Sequence, residues 1–304
     1  MNASDWHGRL NCLDCLDKVY IIAGATASGK TAYGIKKAIA CDGEIVSADS
    51  MQIYRSMNIG TAKPDLDERQ GIVHHMIDIV EPDQDFSVAQ YQEMALKTIR
   101  DILFRGKTPI VVGGTGLYIN ALLYNIRYAM ISENPEFRER MTELSVTNGT
   151  QWLHLQLERI DPTAALKIHS NDVKRTIRAL EIFHETGITA TEQIAESRRI
   201  PPPFSFEIVG LDIERELLYD RINRRVDQMI QQGLVEEVAS LLHSGWRNGT
   251  AMQAIGYKEM TEHLDGRETL DEAVERIKKN TRNYAKRQLT WFRRIEELRW
   301  IRPR

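Results

Sequence analysis

Cysteine is scarce in this chain, long apolar runs are missing and net charge is small, and each shortage excludes a class of protein. Three cysteines in 304 residues, Cys12, Cys15 and Cys41, cannot build a disulfide framework. Cys12 and Cys15 form a C-x-x-C pair, but no second pair or histidine pair follows at zinc-binding spacing. The pair precedes the first strand pattern, whereas a thioredoxin-like site follows one. Residues 1–17 are therefore read as a disordered tail with no metal or redox role. No stretch approaches the roughly 20 apolar residues that span a bilayer. Residues 1–16 are interrupted by Asp5, Arg9 and Asp14 and lack a signal peptide's apolar core. A cytoplasmic protein with no membrane partner is expected.

The formal charge of −3 offers no general attraction to polyanions, but its distribution does. Residues 276–294 contain Arg276, Lys278, Lys279, Arg282, Lys286, Arg287, Arg293 and Arg294, and no acid. Smaller basic clusters stand at Lys174, Arg175 and Arg178 and at Arg221, Arg224 and Arg225. One such cluster is ordinarily a solvated helix face. Three in a mildly acidic chain suggest a basic groove facing a polyanion. With 42% apolar and 27% charged residues, the composition is that of a globular protein able to bury a sizeable core.

The most informative stretch is an apolar strand pattern running into G-x-x-x-x-G-K-T, which is Gly24, Ala25, Thr26, Ala27, Ser28, Gly29, Lys30 and Thr31. This is the phosphate-cradling P-loop. Gly24 and Gly29 permit a tight turn of backbone N–H groups around a phosphate. Lys30 adds a point charge, and the Thr31 hydroxyl is placed to hold Mg²⁺. The helix-forming residues 31–41 aim the positive end of their dipole at the same anion.

Strand patterns recur at 44–47, 109–112, 206–211 and 298–301, and the first at 18–23. A helix over 87–104, capped by Ser87, separates two of them, and a long helix follows Glu214. The alternation predicts an α/β fold: a P-loop NTPase-like parallel sheet flanked by helices, with ligands beyond the carboxyl ends of the strands. Residues 134–197 show helical periodicity and no strand, so an all-helical insertion is set into the core. The expected division is 18–124 and 201–304 for the core, with 125–200 as the insertion.

Asp49 ends a strand expected to lie beside the P-loop strand. A carboxylate there can bind Mg²⁺ through water or take a proton from a nucleophile, or merely cap a turn. Thr115, in a glycine-rich turn after another strand, is expected to aim its hydroxyl into the same crevice. Arg221 and Arg225 share a helix face and suit either a diphosphate clamp or pairing with Asp220, Glu216 or Asp227; spacing leaves both open. His74 and His75 with Asp78 lack an obvious third ligand, and no metal is expected there.

Taken in order, G-A-T-A-S-G-K-T, S-A-D-S-M-Q-I-Y, I-G-T-A-K-P, V-G-G-T-G-L-Y, Q-A-I-G-Y-K-E and Y-A-K-R-Q-L-T-W-F-R resemble the bacterial tRNA dimethylallyltransferase family. The likeness runs from about Val19 to the C-terminus. One departure is Ala25, where the family carries proline; the phosphate-binding N–H groups are unaffected. The resemblance implies transfer of a dimethylallyl group from dimethylallyl diphosphate to the exocyclic amine of an adenosine beside the tRNA anticodon. The P-loop would then hold a diphosphate leaving group, with Mg²⁺. Asp49 would be the general base, with Ser50, Met51 and Gln52 beside the acceptor. Thr115 and Arg138 match positions near tRNA, and Arg225 matches a diphosphate-binding arginine. The implied tRNA segments are Lys174, Arg175, Thr176, Ile177 and Arg178; then Gln253, Ala254, Ile255, Gly256, Tyr257 and Lys258. A third is Lys286, Arg287, Gln288, Leu289, Thr290, Trp291, Phe292 and Arg293. A monomer is expected. The rival readings are a small-molecule P-loop kinase, an enzyme that prenylates free AMP, ADP or ATP, and a non-catalytic RNA-binding GTPase or ATPase.

Overall fold

The first strand, β1 (Lys18–Ala23), ends in residues with almost no exposed surface, as a strand covered on both faces must. In the computed structural model, which describes residues 18–128, 131 and 133–302, β1 lies inside a six-stranded sheet. The other strands are β2 (Gly43–Ala48), β3 (His74–His75), β4 (Thr108–Gly113), β5 (Ser205–Leu211) and β6 (Arg299–Ile301), in the order β3-β2-β4-β1-β5-β6. Every pairing is parallel. The C-x-x-C tail lies outside the described residues.

Strand β2 is not the neighbour of β1, contrary to the expectation for Asp49: β4 separates them, pairing with β1 through Tyr20–Ile110 and with β2 through Ile45–Ile110. The loops after β1, β4 and β2 still converge. The chain leaves β1 toward β2 on one side, and β5 lies on the other, so the P-loop sits where the winding reverses.

Thirteen α-helices occur among the described residues. Helix α1 (Lys30–Ala40) packs Ile35 and Ala38 on Ile22, Ile45, Ile110 and Val112 of the sheet. A short α2 (Leu66–Arg69) precedes β3. Helix α3 (Val88–Phe104) starts at the expected Ser87, whose hydroxyl accepts from the Gln90 N–H while Gln90 closes the capping box. Its Tyr91, Ala95, Ile99 and Ile102 form the buried stripe. Helix α4 (Gly116–Leu123) follows β4.

Two compact units divide the chain, one of residues to Ile119 and from Phe204, the other Asn120–Pro203. The second unit contains helices and no strand among its described residues: α5 (Pro135–Asn148), α6 (Thr150–Ile160), α7 (Pro162–Ala165), α8 (Val173–Thr186) and α9 (Ala190–Ser197). Its core joins Leu153 and Leu157 to Ala164, Ile177 and Leu180. In the first unit, α10 (Arg215–Gln231), α11 (Leu234–His243), α12 (Tyr257–Leu264) and α13 (Leu270–Phe292) follow β5. They close around Met57, Val226, Leu234, Tyr257 and Ile277. No helix is long and apolar enough to cross a membrane, among the described residues.

His74 and His75 form the edge strand β3. The His75 Nε2 meets the buried Glu44 carboxylate at 2.7 Å, and His74 Nδ1 lies 2.9 Å from the Ile72 carbonyl. No cluster of three or more His, Cys, Asp or Glu suited to a metal occurs among the described residues.

Candidate active site

The P-loop is shaped by two positive φ angles, 62° at Ala27 and 85° at Gly29. Gly29 pays no steric cost there, whereas Ala27 is held by its surroundings. Gly24 is needed for space, since a Cβ there would strike the Ser28 hydroxyl. Ala25 and Ala27 pack on Leu218 and Ile222 of α10 and Ala285 of α13, which fixes the loop from behind. The Thr26 N–H donates to Gln288 Oε1 at 2.8 Å and the Ser28 N–H to the Ala25 carbonyl at 3.2 Å. The first N–H groups of α1 have no intrahelical acceptor and are left for an anion. Lys30 Nζ lies 3.3 Å from the Ala25 carbonyl. Burial draws its ammonium down to about 8, against the opposing pull of Asp49 and with a further push from Arg225.

Asp49 fixes a turn and also lines the site. Its Oδ1 accepts from the N–H groups of Met51 (2.9 Å) and Gln52 (3.4 Å), fixing the turn after β2. Asp49 also lines the two cavities described below. Thr115 departs from expectation: its Oγ1 accepts from the Ser50 N–H at 3.0 Å and contacts Ser50 Oγ at 3.3 Å, and it lines neither cavity. It joins the β4 loop to the β2 loop. Gln52 is likewise engaged, accepting from Ser47 Oγ and donating to the Thr61 and Ala62 carbonyls.

Two cavities meet at Thr26, Asp49, Thr61, Ala62 and Arg225, which line both. The smaller, about 40 Å³, contains Lys30 and Thr31. The larger, about 360 Å³, is walled by Met51, Ile222, Val226, Met229, Ile255 and Ile277. One end thus suits an anion, the other a short apolar chain, and a carboxylate stands at the junction. Of the arginines on this helix face, Arg225 differs from its neighbours. It makes no ion pair among the described residues, and burial lowers its pKa, whereas Arg221 is exposed and Arg224 pairs with Asp220. With only the more distant charges of Glu68 and Asp49 acting on it, this sheltered guanidinium is available to an anion.

The I-G-T-A-K-P loop supplies Gly60, Thr61 and Ala62 to the larger cavity. Glu237 holds it by accepting from the N–H groups of Asn58, Ile59 and Gly60 at 2.9–3.2 Å and from the Tyr257 hydroxyl at 2.5 Å. Nothing in the local sequence around Glu237 announces this role.

The RNA segments implied by the resemblance contain exposed, half-buried and buried residues. Lys174, Arg175, Gln253, Lys258, Lys286, Arg287, Thr290 and Arg293 are exposed; Gln253 and Arg287 also line the larger cavity, so they stand at its rim. Thr176, Ile177, Ala254, Tyr257, Gln288 and Phe292 are buried, and their side chains offer RNA no surface. Their presence in those segments reflects packing, which spacing cannot separate from contact.

In the helical unit, Arg138 and Arg178 converge on Glu181, a residue that sequence reasoning missed. Glu181 accepts from Arg138 Nε and Nη2 at 2.8 Å, Arg178 Nη1 at 2.6 Å and the Asn134 N–H at 2.9 Å. Its side chain is fully buried, while about a third of each arginine (30% and 36%) stays exposed. The signal was present: Glu181 falls on the apolar stripe of Ile177 and Leu180, where an acid requires partners. Burial pushes the Glu181 carboxyl up, but bonds from Arg138, Asn134 and Arg178 outweigh it and bring it down to about 2. Glu44 is also drawn down to about 2, first by Arg105. Both ordinarily titrate near 4.5, so their stabilisation is complete above that pH and is lost as pH falls toward 2. The urea midpoint is expected to drop over this window, and Glu181→Gln to flatten part of the drop. A midpoint constant from pH 5 to 2 would contradict the assignment.

The family model described as IPP transferase matches residues 52–295. A tRNA dimethylallyltransferase of Acetivibrio thermocellus is 52% identical over 287 residues, covering 94% of this chain and 92% of its own. The crystal structure of a full-length tRNA isopentenylpyrophosphate transferase from Bacillus halodurans superimposes with a TM-score of 0.70 at 45% identity, covering 94% of this chain and 90% of that one. A eukaryotic dimethylallyltransferase acting on tRNA gives a TM-score of 0.77 at 33% identity, covering 91% and 70%. With a P-loop, a sheltered arginine and a carboxylate around one pair of joined cavities, and a match over most of its length, the chain belongs to the IPP transferase family.

Proposed function

We propose that this protein transfers a dimethylallyl group from dimethylallyl diphosphate to the exocyclic amine of the adenosine 3′ of the anticodon in tRNA, releasing diphosphate. The observation that carries the reading is the joined pair of cavities. Lys30, Thr31 and Arg225 offer charge and hydroxyl for a diphosphate, and the Met51–Ile222–Met229 wall offers apolar cover for a five-carbon chain.

The adenine amine is a poor nucleophile because its lone pair is delocalised into the ring. Asp49 Oδ2 takes its proton as the new C–N bond forms, with Oδ1 holding the carboxylate in place through the Met51 and Gln52 N–H groups. The allylic C–O bond breaks with its electron pair passing to the diphosphate. Lys30, Arg225 and the N–H groups at the start of α1 stabilise that growing charge more in the transition state than before it. The apolar wall excludes water that would capture the activated allyl group. Thr115 acts through Ser50, positioning the Asp49 turn.

The donors present fit Mg²⁺: the Thr31 hydroxyl is a hard oxygen ligand beside the diphosphate site, and Mg²⁺ binds through few protein oxygens plus substrate phosphates. When bound, it supplies Lewis-acid neutralisation of the leaving group. For tRNA, the exposed bases of α13 and the Glu181-braced arginines of the helical unit supply phosphate contacts. The target base must leave its stack to reach the cavity.

Incubating the protein with labelled dimethylallyl diphosphate and tRNA, AMP or no acceptor tests this directly. Label is expected in tRNA alone. Label in AMP, or in free alcohol at the same rate without acceptor, would overturn the reading.

A further inference from the structure

We propose that Gln288 is a positioning residue for the diphosphate cradle and not an RNA contact; this rests on the reading of the P-loop as the donor site. Gln288 lies in the segment that resemblance assigns to tRNA, yet only 5% of it is exposed. It continues the inward stripe of α13 (Ile277, Ala285, Phe292), while Lys286, Arg287 and Thr290 around it face solvent. An amide on an apolar stripe needs partners, and both of its ends have them. Gln288 Oε1 accepts the Thr26 N–H at 2.8 Å, and Nε2 donates to the Gly114 carbonyl at 2.9 Å. The opposite amide orientation would set NH₂ against N–H and oxygen against carbonyl, so the partners dictate the assignment. Gly114 is part of the same device, because a Cβ there would collide with Nε2.

The tie joins the C-terminal helix to the loops that follow the paired strands β1 and β4. It is placed where the P-loop needs external support. Ala27 holds a φ of 62°, which a residue with a Cβ keeps only when its surroundings enforce it. Pinning the Thr26 N–H turns that group toward α13 and fixes the Ala25–Thr26 peptide, one residue before the strained Ala27. The remaining loop N–H groups are thereby set toward the anion before it arrives, so binding need not reorganise them. Tyr284, one turn earlier, lies beside both Gln288 and Thr115, and Thr115 in turn accepts from the Ser50 N–H in the turn that carries Asp49.

The test is Gln288→Met, which keeps length and packing and removes both hydrogen bonds. Inorganic diphosphate affinity, by titration calorimetry, is expected to fall about ten-fold. Affinity for an anticodon stem-loop, and its dependence on salt, should be unchanged, and donor KM should rise more than RNA KM. Loss of stem-loop affinity with diphosphate binding intact would overturn the proposal in favour of an RNA contact. Equal loss of both, or loss of neither, would overturn it as well. If the methionine variant does not fold, Gln288→Glu retains the Thr26 acceptor but faces the Gly114 carbonyl with a carboxylate; wild-type diphosphate affinity in that variant would end the proposal. Failure of the unaltered protein to bind diphosphate would overturn the donor-site reading itself, a result distinct from any of these.

Discussion

Asp49→Asn is expected to cut turnover by about 10²–10⁴, the range for removal of a general base, with RNA affinity unchanged. Asparagine is the informative replacement because the carboxylate has two tasks. Its Oδ1 accepts from the Met51 and Gln52 N–H groups, and an amide oxygen serves that turn equally well. The variant thus removes the proton acceptor and leaves the loop in place. Asp49→Ala removes both and should add a loss of stability that Asn does not show. Single-turnover rates with saturating donor and tRNA, beside thermal midpoints for the two variants, separate the effects. Normal turnover in Asp49→Asn would mean that the proton leaves by another route.

Arg225→Met should have the second-largest effect, and of two opposite kinds. The guanidinium is sheltered beside Lys30 with no ion pair among the described residues, and burial lowers its pKa. Such a charge is held against its own solvation, so the protein without ligand should gain thermal stability when methionine replaces it. Turnover should fall by about 10²–10³, as when one donor to a developing anion is removed. Added inorganic diphosphate should raise the melting temperature of the original protein more than that of the variant. A variant that is less stable without ligand, and equally stabilised by diphosphate, would show Arg225 to be structural.

Much of the fold was legible locally. The strand–loop–helix around Lys30 follows from an apolar run, two glycines and a helix-forming segment, all within about 25 residues. Strands β2, β4, β5 and β6 were each anticipated to within two residues at each end, and Ser87 was recognised as a cap because a capping box is a contact between neighbours. Strand β3 was missed. Its two residues are held by pairing with Ile45 and Val46, so nothing in its own pattern marks it. The neighbour of β1 was misjudged for the same reason: order within a parallel sheet depends on which crossover packs, and adjacent strands in sequence need not pair.

For the candidate site, residue type and spacing identified the P-loop and Asp49 as candidates, because the phosphate-binding pattern is a property of a linear string, whereas Arg225 was singled out from Arg221 only by the family resemblance. The chain alone could not say whether Arg225 had a carboxylate partner, or that Thr115 bonds Ser50. It could not divide the RNA segments into exposed Arg287 and Arg293 against buried Gln288 and Phe292. It also hid Glu181 and Glu237, whose partners come from other segments of the chain. Local order and chemical type were set by the sequence because short-range geometry repeats wherever the same residues occur. Pairing, exposure and the two-sided use of Asp49 were decided by the tertiary structure, because a side chain's role depends on what distant segments bring against it.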